Sequence, residues 1–186
     1  MKGLQWSVLL GGLAVPCLAV ATPSVDAVAV MAGAALHARN HVRMVRVALQ
    51  RQWHEHWLPM GHWSLTGYWE LGFGYWHGNA GDTGNRSLES VDFRPVLRWQ
   101  YHNPSIDVPA FYVEFGTGPA LVSATEIDNR RLSTAFQFGS HIGVGMRFGP
   151  HGRFEVAYRL MHYSNADIKR PNDGMSFNVL EVAGLF

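Results

Sequence analysis

The chain reads as an all-β protein, an eight-stranded antiparallel β-barrel of the outer membrane. Three features point there: long runs of period-two alternation, aromatic residues near the ends of those runs, and an alternating last segment that stops on Phe186. From Leu132 to Phe148 the even positions carry Leu132, Thr134, Phe136, Phe138, Ser140, Ile142, Val144, Met146 and Phe148. The odd ones carry Arg131, Ser133, Ala135, Gln137, Gly139, His141, Gly143, Gly145 and Arg147. Large apolar groups therefore share one face, and small or polar groups the other.

The first residues read as an address. Lys2 gives a basic start, an apolar run extends from Val8 to Val20, and Ala19-Val20-Ala21 has the small-x-small form of a signal-peptidase site. Residues 1–21 are the expected signal peptide and 22–186 the expected barrel domain; 186 minus 21 leaves 165 residues, enough for one domain. Cys17, the only cysteine, would leave with the leader, which removes disulfides and thiol chemistry from the mature chain. A net charge of +1 gives no indication of nucleic acid as a partner. Beyond the leader no apolar stretch reaches the ~18 to 20 residues of a membrane helix, which leaves strands as the spanning element.

The other runs repeat the pattern. Between 87 and 101 the apolar face is Val91, Phe93, Pro95, Leu97, Trp99 and Tyr101, opposite Ser90, Asp92, Arg94, Arg98 and Gln100. Phe111, Val113 and Phe115 stand against Tyr112, Glu114, Gly116 and Gly118. Leu65, Trp69, Leu71, Phe73 and Tyr75 stand against Tyr68, Glu70, Gly72 and Gly74. Turn-forming clusters such as Gly78-Asn79-Ala80-Gly81-Asp82, His102-Asn103-Pro104-Ser105, Asp128-Asn129, Gly149-Pro150 and Pro171-Asn172-Asp173-Gly174 separate them. Strands are expected at 24–36, 41–53, 63–78, 87–102, 109–125, 131–148, 152–164 and 174–186, the first being apolar on both faces.

A soluble sandwich would bury the same apolar faces, but these strands are longer than the ~5 to 6 residues usual in globular sheets. Trp63, Trp76, Trp99, Tyr101 and Tyr163 are expected to form interfacial girdles. Eight strands leave an interior only wide enough for side chains. Arg46, Glu70, Asp92, Arg94, Arg98, Glu114, Glu155, Arg159 and Glu181 are then expected to pack it as an ionic lumen, not a pore, with the inward glycines making room for bulk.

The seventh strand places Phe154, Val156, Tyr158, Leu160, His162 and Ser164 on one face. A polar pair at the end of a lipid-facing stripe is a functional candidate. With both termini in the periplasm this strand runs outward, so the pair meets the outer leaflet, where the lipid is lipopolysaccharide. Two residues apart on one face, their Cβ atoms lie ~7 Å apart, within reach of an imidazole nitrogen and a hydroxyl. The imidazole can remove the hydroxyl proton as the serine attacks an ester carbonyl, and return it to the leaving alkoxide.

His162-Tyr163-Ser164-Asn165-Ala166, followed by Lys169-Arg170-Pro171-Asn172-Asp173-Gly174, resembles the motif of the lipid A 3-O-deacylases (PagL). The similarity extends through Leu65-Thr66-Gly67-Tyr68-Trp69, Arg94-Pro95-Val96, Glu114-Phe115-Gly116-Thr117-Gly118 and Ile142-Gly143-Val144-Gly145. The resemblance implies a serine esterase of lipid A in the outer membrane, working without a cofactor. His162 would be general base, Ser164 nucleophile, and Asn165 with the backbone N–H of Asp167 the oxyanion hole. Where that family has a catalytic glutamate this chain has Ser176, whose parity puts it on the outer face; Asp173 and Asp167 are alternative sources of the acid, and Glu181 points inward.

His54, Glu55, His56 and His62 fall in an expected interfacial connection, and no metal site is expected there because spacing fixes no third ligand. Arg130, Arg131, Lys169 and Arg170 are either lipid A phosphate ligands or solvated loop charges. The expected partners are lipopolysaccharide and outer-membrane lipid, with a homodimer left open. Two other readings remain at this point. One is a non-catalytic barrel that binds lipopolysaccharide or is structural, favoured by the missing glutamate. The other is an adhesin, opposed by the short outer loops expected at 37–40 and 126–130.

Overall fold

A computed structural model of the chain describes residues 24–36, 41–103 and 108–186; the expected leader, 1–21, and the expected loop 37–40 lie outside the described residues. Its strands are β1 (Ala27–Ala35), β2 (Arg43–Gln52), β3 (Trp57–Met60), β4 (Trp63–His77), β5 (Ser87–Asn103), β6 (Val108–Val122), β7 (Glu126–Ile127), β8 (Arg130–Arg131), β9 (Phe136–Phe148), β10 (Phe154–Ser164) and β11 (Met175–Leu185). The eight long ones pair antiparallel in the order β2-β1-β11-β10-β9-β6-β5-β4, and a β2–β4 ladder from Arg43↔His77 to Gln52↔Tyr68 closes the barrel. This is the expected architecture. Closure leaves no edge strand in the wall, which a bilayer requires.

Alternation sorts the side chains as the sequence predicts. Val45, Phe73, Phe93, Phe115, Ile142, Val144 and Leu180 are exposed on the outside. All nine charges expected in the lumen are buried. They form one network: Arg159 bridges Glu70 (3.0 Å), Glu114 (2.7 Å) and Glu181 (2.8 Å), and Arg98 bridges Glu114 (3.0 Å) and Glu155 (2.7 Å). The Arg98 guanidinium also lies 3.7 Å from the Tyr112 ring centre. Gly72 shows why the lumen needs glycine, since a Cβ there would sit 1.9 Å from Nη2 of Arg46.

Two expectations are corrected. Trp76 and Tyr163 are not girdle residues: both are fully buried and meet at 4.8 Å between ring centres, with Phe177 4.9 Å from Trp76. Their parity is that of the polar face, so at this end the lumen is plugged by aromatics. The strands expected at 109–125 and 131–148 stop at Val122 and start at Phe136, and the connection between them carries the β7–β8 hairpin. Ile127 and Leu132 in that connection are fully buried in the apolar cluster around Trp76, so they cap the barrel end where continued strands would extend the wall. Asp128 (φ 54°) and Ser133 (φ 62°) make the reversals.

Candidate functional site at the rim of β10

β10 ends in His162-Tyr163-Ser164, and alternation turns the outer two side chains outward while the middle one anchors the backbone from inside. The Tyr163 hydroxyl donates to Asp92 Oδ2 at 3.1 Å. On the outer face His162 stands in register between Ser140 of β9 and Ser176 of β11. His162 Nδ1 and Ser176 Oγ are 2.8 Å apart. With Nδ1–H donating to that hydroxyl, Nε2 keeps its lone pair for a proton. Gly174 (φ 60°) packs on the same imidazole, and a Cβ there would lie 3.0 Å from His162 Cε1 and 3.4 Å from Nε2. The Ser164 hydroxyl makes no hydrogen bond among the described residues, and so stands two positions along the strand from the imidazole without a competing partner.

The chain leaves β10 through a tight turn. Ala166 (φ 52°) and Asp167 (φ 61°) are both left-handed, and the Ile168 N–H donates to the Asn165 carbonyl at 3.1 Å, the pattern of a type I′ turn. Asn165 is fully buried, and its carboxamide donates to the Leu132 and Lys169 carbonyls, each at 2.8 Å. Its backbone N–H donates to Asn172 Oδ1 at 3.2 Å. As an oxyanion donor Asn165 would have to release one of these bonds. Among the described residues the Asp167 N–H donates to no protein acceptor.

Neither loop carboxylate is aimed at the imidazole. Asp173 Oδ2 accepts the Arg131 N–H at 2.8 Å, and Asp167 accepts from Arg170 (3.0 Å) and Asn172 (3.2 Å). Hydrogen bonds from Asn172 and Arg170 hold the Asp167 carboxyl below the ordinary aspartate range. Glu181 lies in the lumen on Arg159, as its parity predicts. Among the described residues no carboxylate ion-pairs with His162, so Ser176 is the residue that orients it.

Beside His162 the outer wall holds a groove of about 270 Å³, apolar at Leu36, Phe115, Ile142 and Leu160 and polar at Ser140, His162 and Ser176. Ser140 was not singled out by sequence, because its place beside His162 depends on cross-strand register. Of the four loop cations, Arg130 donates to the Asp173 carbonyl at 3.1 Å and Arg170 pairs with Asp167, while Lys169 is exposed. Among the described residues no group of three or more His, Cys, Asp or Glu side chains is placed to hold a metal ion. His56 instead faces the His102 ring at 6.1 Å.

Comparison with known proteins gives a consistent result. The family model described as lipid A 3-O-deacylase (PagL) matches residues 43–183. The lipid A deacylase PagL of Pseudomonas aeruginosa is 35% identical over 130 residues, 70% of each chain. The lipid A deacylase PagL of Bordetella bronchiseptica is 32% identical over 163 residues, 85% of each chain. A crystal structure of the outer membrane enzyme PagL superposes with a TM-score of 0.72 at 27% identity, covering 86% of this chain and 99% of that one.

Proposed function

The chain belongs to the lipid A 3-O-deacylase (PagL) family, and from that premise we propose that it is a serine esterase of the outer membrane that hydrolyses the 3-O-acyl ester of lipid A. The observation that carries this reading is the outward His162 imidazole, held at Nδ1 by Ser176 and two residues from an unengaged Ser164 hydroxyl.

Ser164 Oγ attacks the ester carbonyl while His162 Nε2 takes its proton. The negative charge that develops on the carbonyl oxygen is met by the Asp167 N–H, presented by the left-handed turn that Asn165 pins to Leu132 and Lys169. Collapse of the tetrahedral adduct breaks the bond between the acyl carbon and the sugar 3-oxygen, leaving the acyl group on Ser164, and His162 returns the proton to the departing sugar alkoxide. Water, deprotonated by the same imidazole, then releases the fatty acid from Ser164. The groove beside His162 accepts the acyl chain against Phe115, Ile142 and Leu160. Ser176 orients the imidazole but adds no negative charge to stabilise its cation, so the chemistry runs with a weaker partner than a carboxylate.

The same hydroxyl favours the second reading, a folded barrel that binds lipopolysaccharide without cleaving it. Mass spectrometry of lipid A from a Gram-negative host separates the two. Expression of the wild-type chain removes one acyl chain and Ser164→Ala does not. Unchanged lipid A from correctly inserted wild-type protein selects the non-catalytic barrel.

A further inference from the structure

The opposite rim of the barrel, where β1 begins and β11 ends, carries a second feature on the lipid-facing wall. The outward face of β2 is Arg43, Val45, Val47, Leu49 and Arg51, three apolar residues between two guanidiniums. Arg51 is in register with Trp69 and Leu49 with Leu71, which is in turn paired with Phe93. The Trp69 and Phe93 rings stack at 5.4 Å with 8° between their planes. Together with the segment Ser24–Val25 these side chains enclose a trough of about 340 Å³, within the ~300 to 1,000 Å³ of small-molecule sites.

The charge at its mouth is unbalanced. Asp26 lies nearby, but its Oδ2 accepts the Gln52 N–H at 2.7 Å. Among the described residues Arg51 forms no ion pair. A guanidinium at the edge of a membrane-facing wall, above an apolar channel and beside an interfacial tryptophan, matches a lipid whose phosphodiester sits at the headgroup level and whose tail lies flat on the protein. This rim lies away from His162, on the side of the chain termini, and with both termini in the periplasm, as the sequence predicts, it meets the inner leaflet of glycerophospholipids. We propose that the trough formed by Arg51, Leu49, Leu71, Trp69 and Phe93 is a glycerophospholipid-binding site, with Arg51 holding the phosphate and the apolar floor holding one acyl chain.

Native mass spectrometry of the full-length protein released from detergent tests this. Phosphatidylglycerol and phosphatidylethanolamine serve as probes, uncharged diacylglycerol and lipopolysaccharide as competitors. The wild type retains a single phospholipid that neither competitor displaces. Arg51→Gln lowers retention roughly tenfold, the scale of one charge-assisted hydrogen bond. Leu71→Trp, which fills the floor, lowers it comparably, and Arg43→Gln at the far end of the same strand face leaves it unchanged. Heat-modifiable gel mobility verifies that each variant is folded, and Arg51→Gln, with its side chain outside the barrel core, carries the test if Leu71→Trp does not insert. Equal retention by wild type and Arg51→Gln, equal loss in Arg43→Gln, or displacement by lipopolysaccharide would overturn the proposal.

Discussion

The lumen and the His162 rim hold their polar groups in opposite ways. In the lumen Arg159 answers three carboxylates and Arg98 two, all fully removed from solvent. At the rim His162 has a single hydroxyl partner and Ser164 has none among the described residues. A buried charge without compensation costs several kcal/mol, and each of the nine lumen charges has an oppositely charged neighbour. A reacting group has to exchange partners during its cycle, and the rim leaves it free to do so. The same strand, β10, serves both regimes: Arg159 and Tyr163 lock its inner face while His162 and Ser164 stand on the outer one.

The largest break in this contrast comes at the imidazole. His162→Ala is expected to lower deacylation by roughly 10⁴-fold or more, since base and nucleophile act as one proton-transfer unit. Heat-modifiable mobility and urea unfolding should stay close to wild-type values, because the side chain stands on the outer wall and its one hydrogen bond is to the Ser176 hydroxyl. Loss of folding in that variant would place His162 among the structural residues instead.

Removing a lumen charge should reverse the pattern. Arg159→Met takes from Glu181 its guanidinium partner and leaves Glu70 and Glu114 with Arg46 and Arg98 close by, and denaturant unfolding in detergent should show a loss of about 3–5 kcal/mol. Its residual folded fraction should keep near-normal turnover, since Arg159 does not reach the outer face. Asn165→Ala sits between the two regimes. It removes the carboxamide that ties the Lys169 carbonyl to the Leu132 carbonyl, and leaves the former without that donor, worth about 1–3 kcal/mol in a buried setting. The expected readouts are protease nicking within residues 165–174 and a fall in deacylation larger than the fall in global stability.

The smallest effects sharpen the comparison. Ser176→Ala removes one hydrogen bond from the imidazole and should slow deacylation by about fivefold, the scale of one net hydrogen bond. Ser176→Glu supplies a carboxylate in register with His162 and should raise the rate, with the Glu variant above wild type and the Ala variant below it in the same lipid A assay. Asp167→Asn and Asp173→Asn are the paired controls. A larger loss from either than from Ser176→Ala would show that the loop, not β11, supports the imidazole.

The sequence by itself determined the barrel, its closed antiparallel form and the side of the wall on which each residue stands. Period-two alternation is a local property, and a strand cannot hide it from its own residue order. That is why every lumen charge and the outward His162, Ser164 and Ser176 were legible from parity. Trp76 and Tyr163 carried the same signal, yet residue type suggested a girdle; parity was the better guide. Only the tertiary structure decided what stands beside what. Register between β9, β10 and β11 brings Ser140 and Ser176 to either side of His162, and depends on hydrogen bonds between strands that no single strand encodes. The burial of Ile127 and Leu132 over the barrel end is likewise a tertiary outcome. Their apolar side chains gain more from covering Trp76 than from lengthening a wall, and in doing so they bring the Leu132 carbonyl to Asn165 and fix the turn after Ser164.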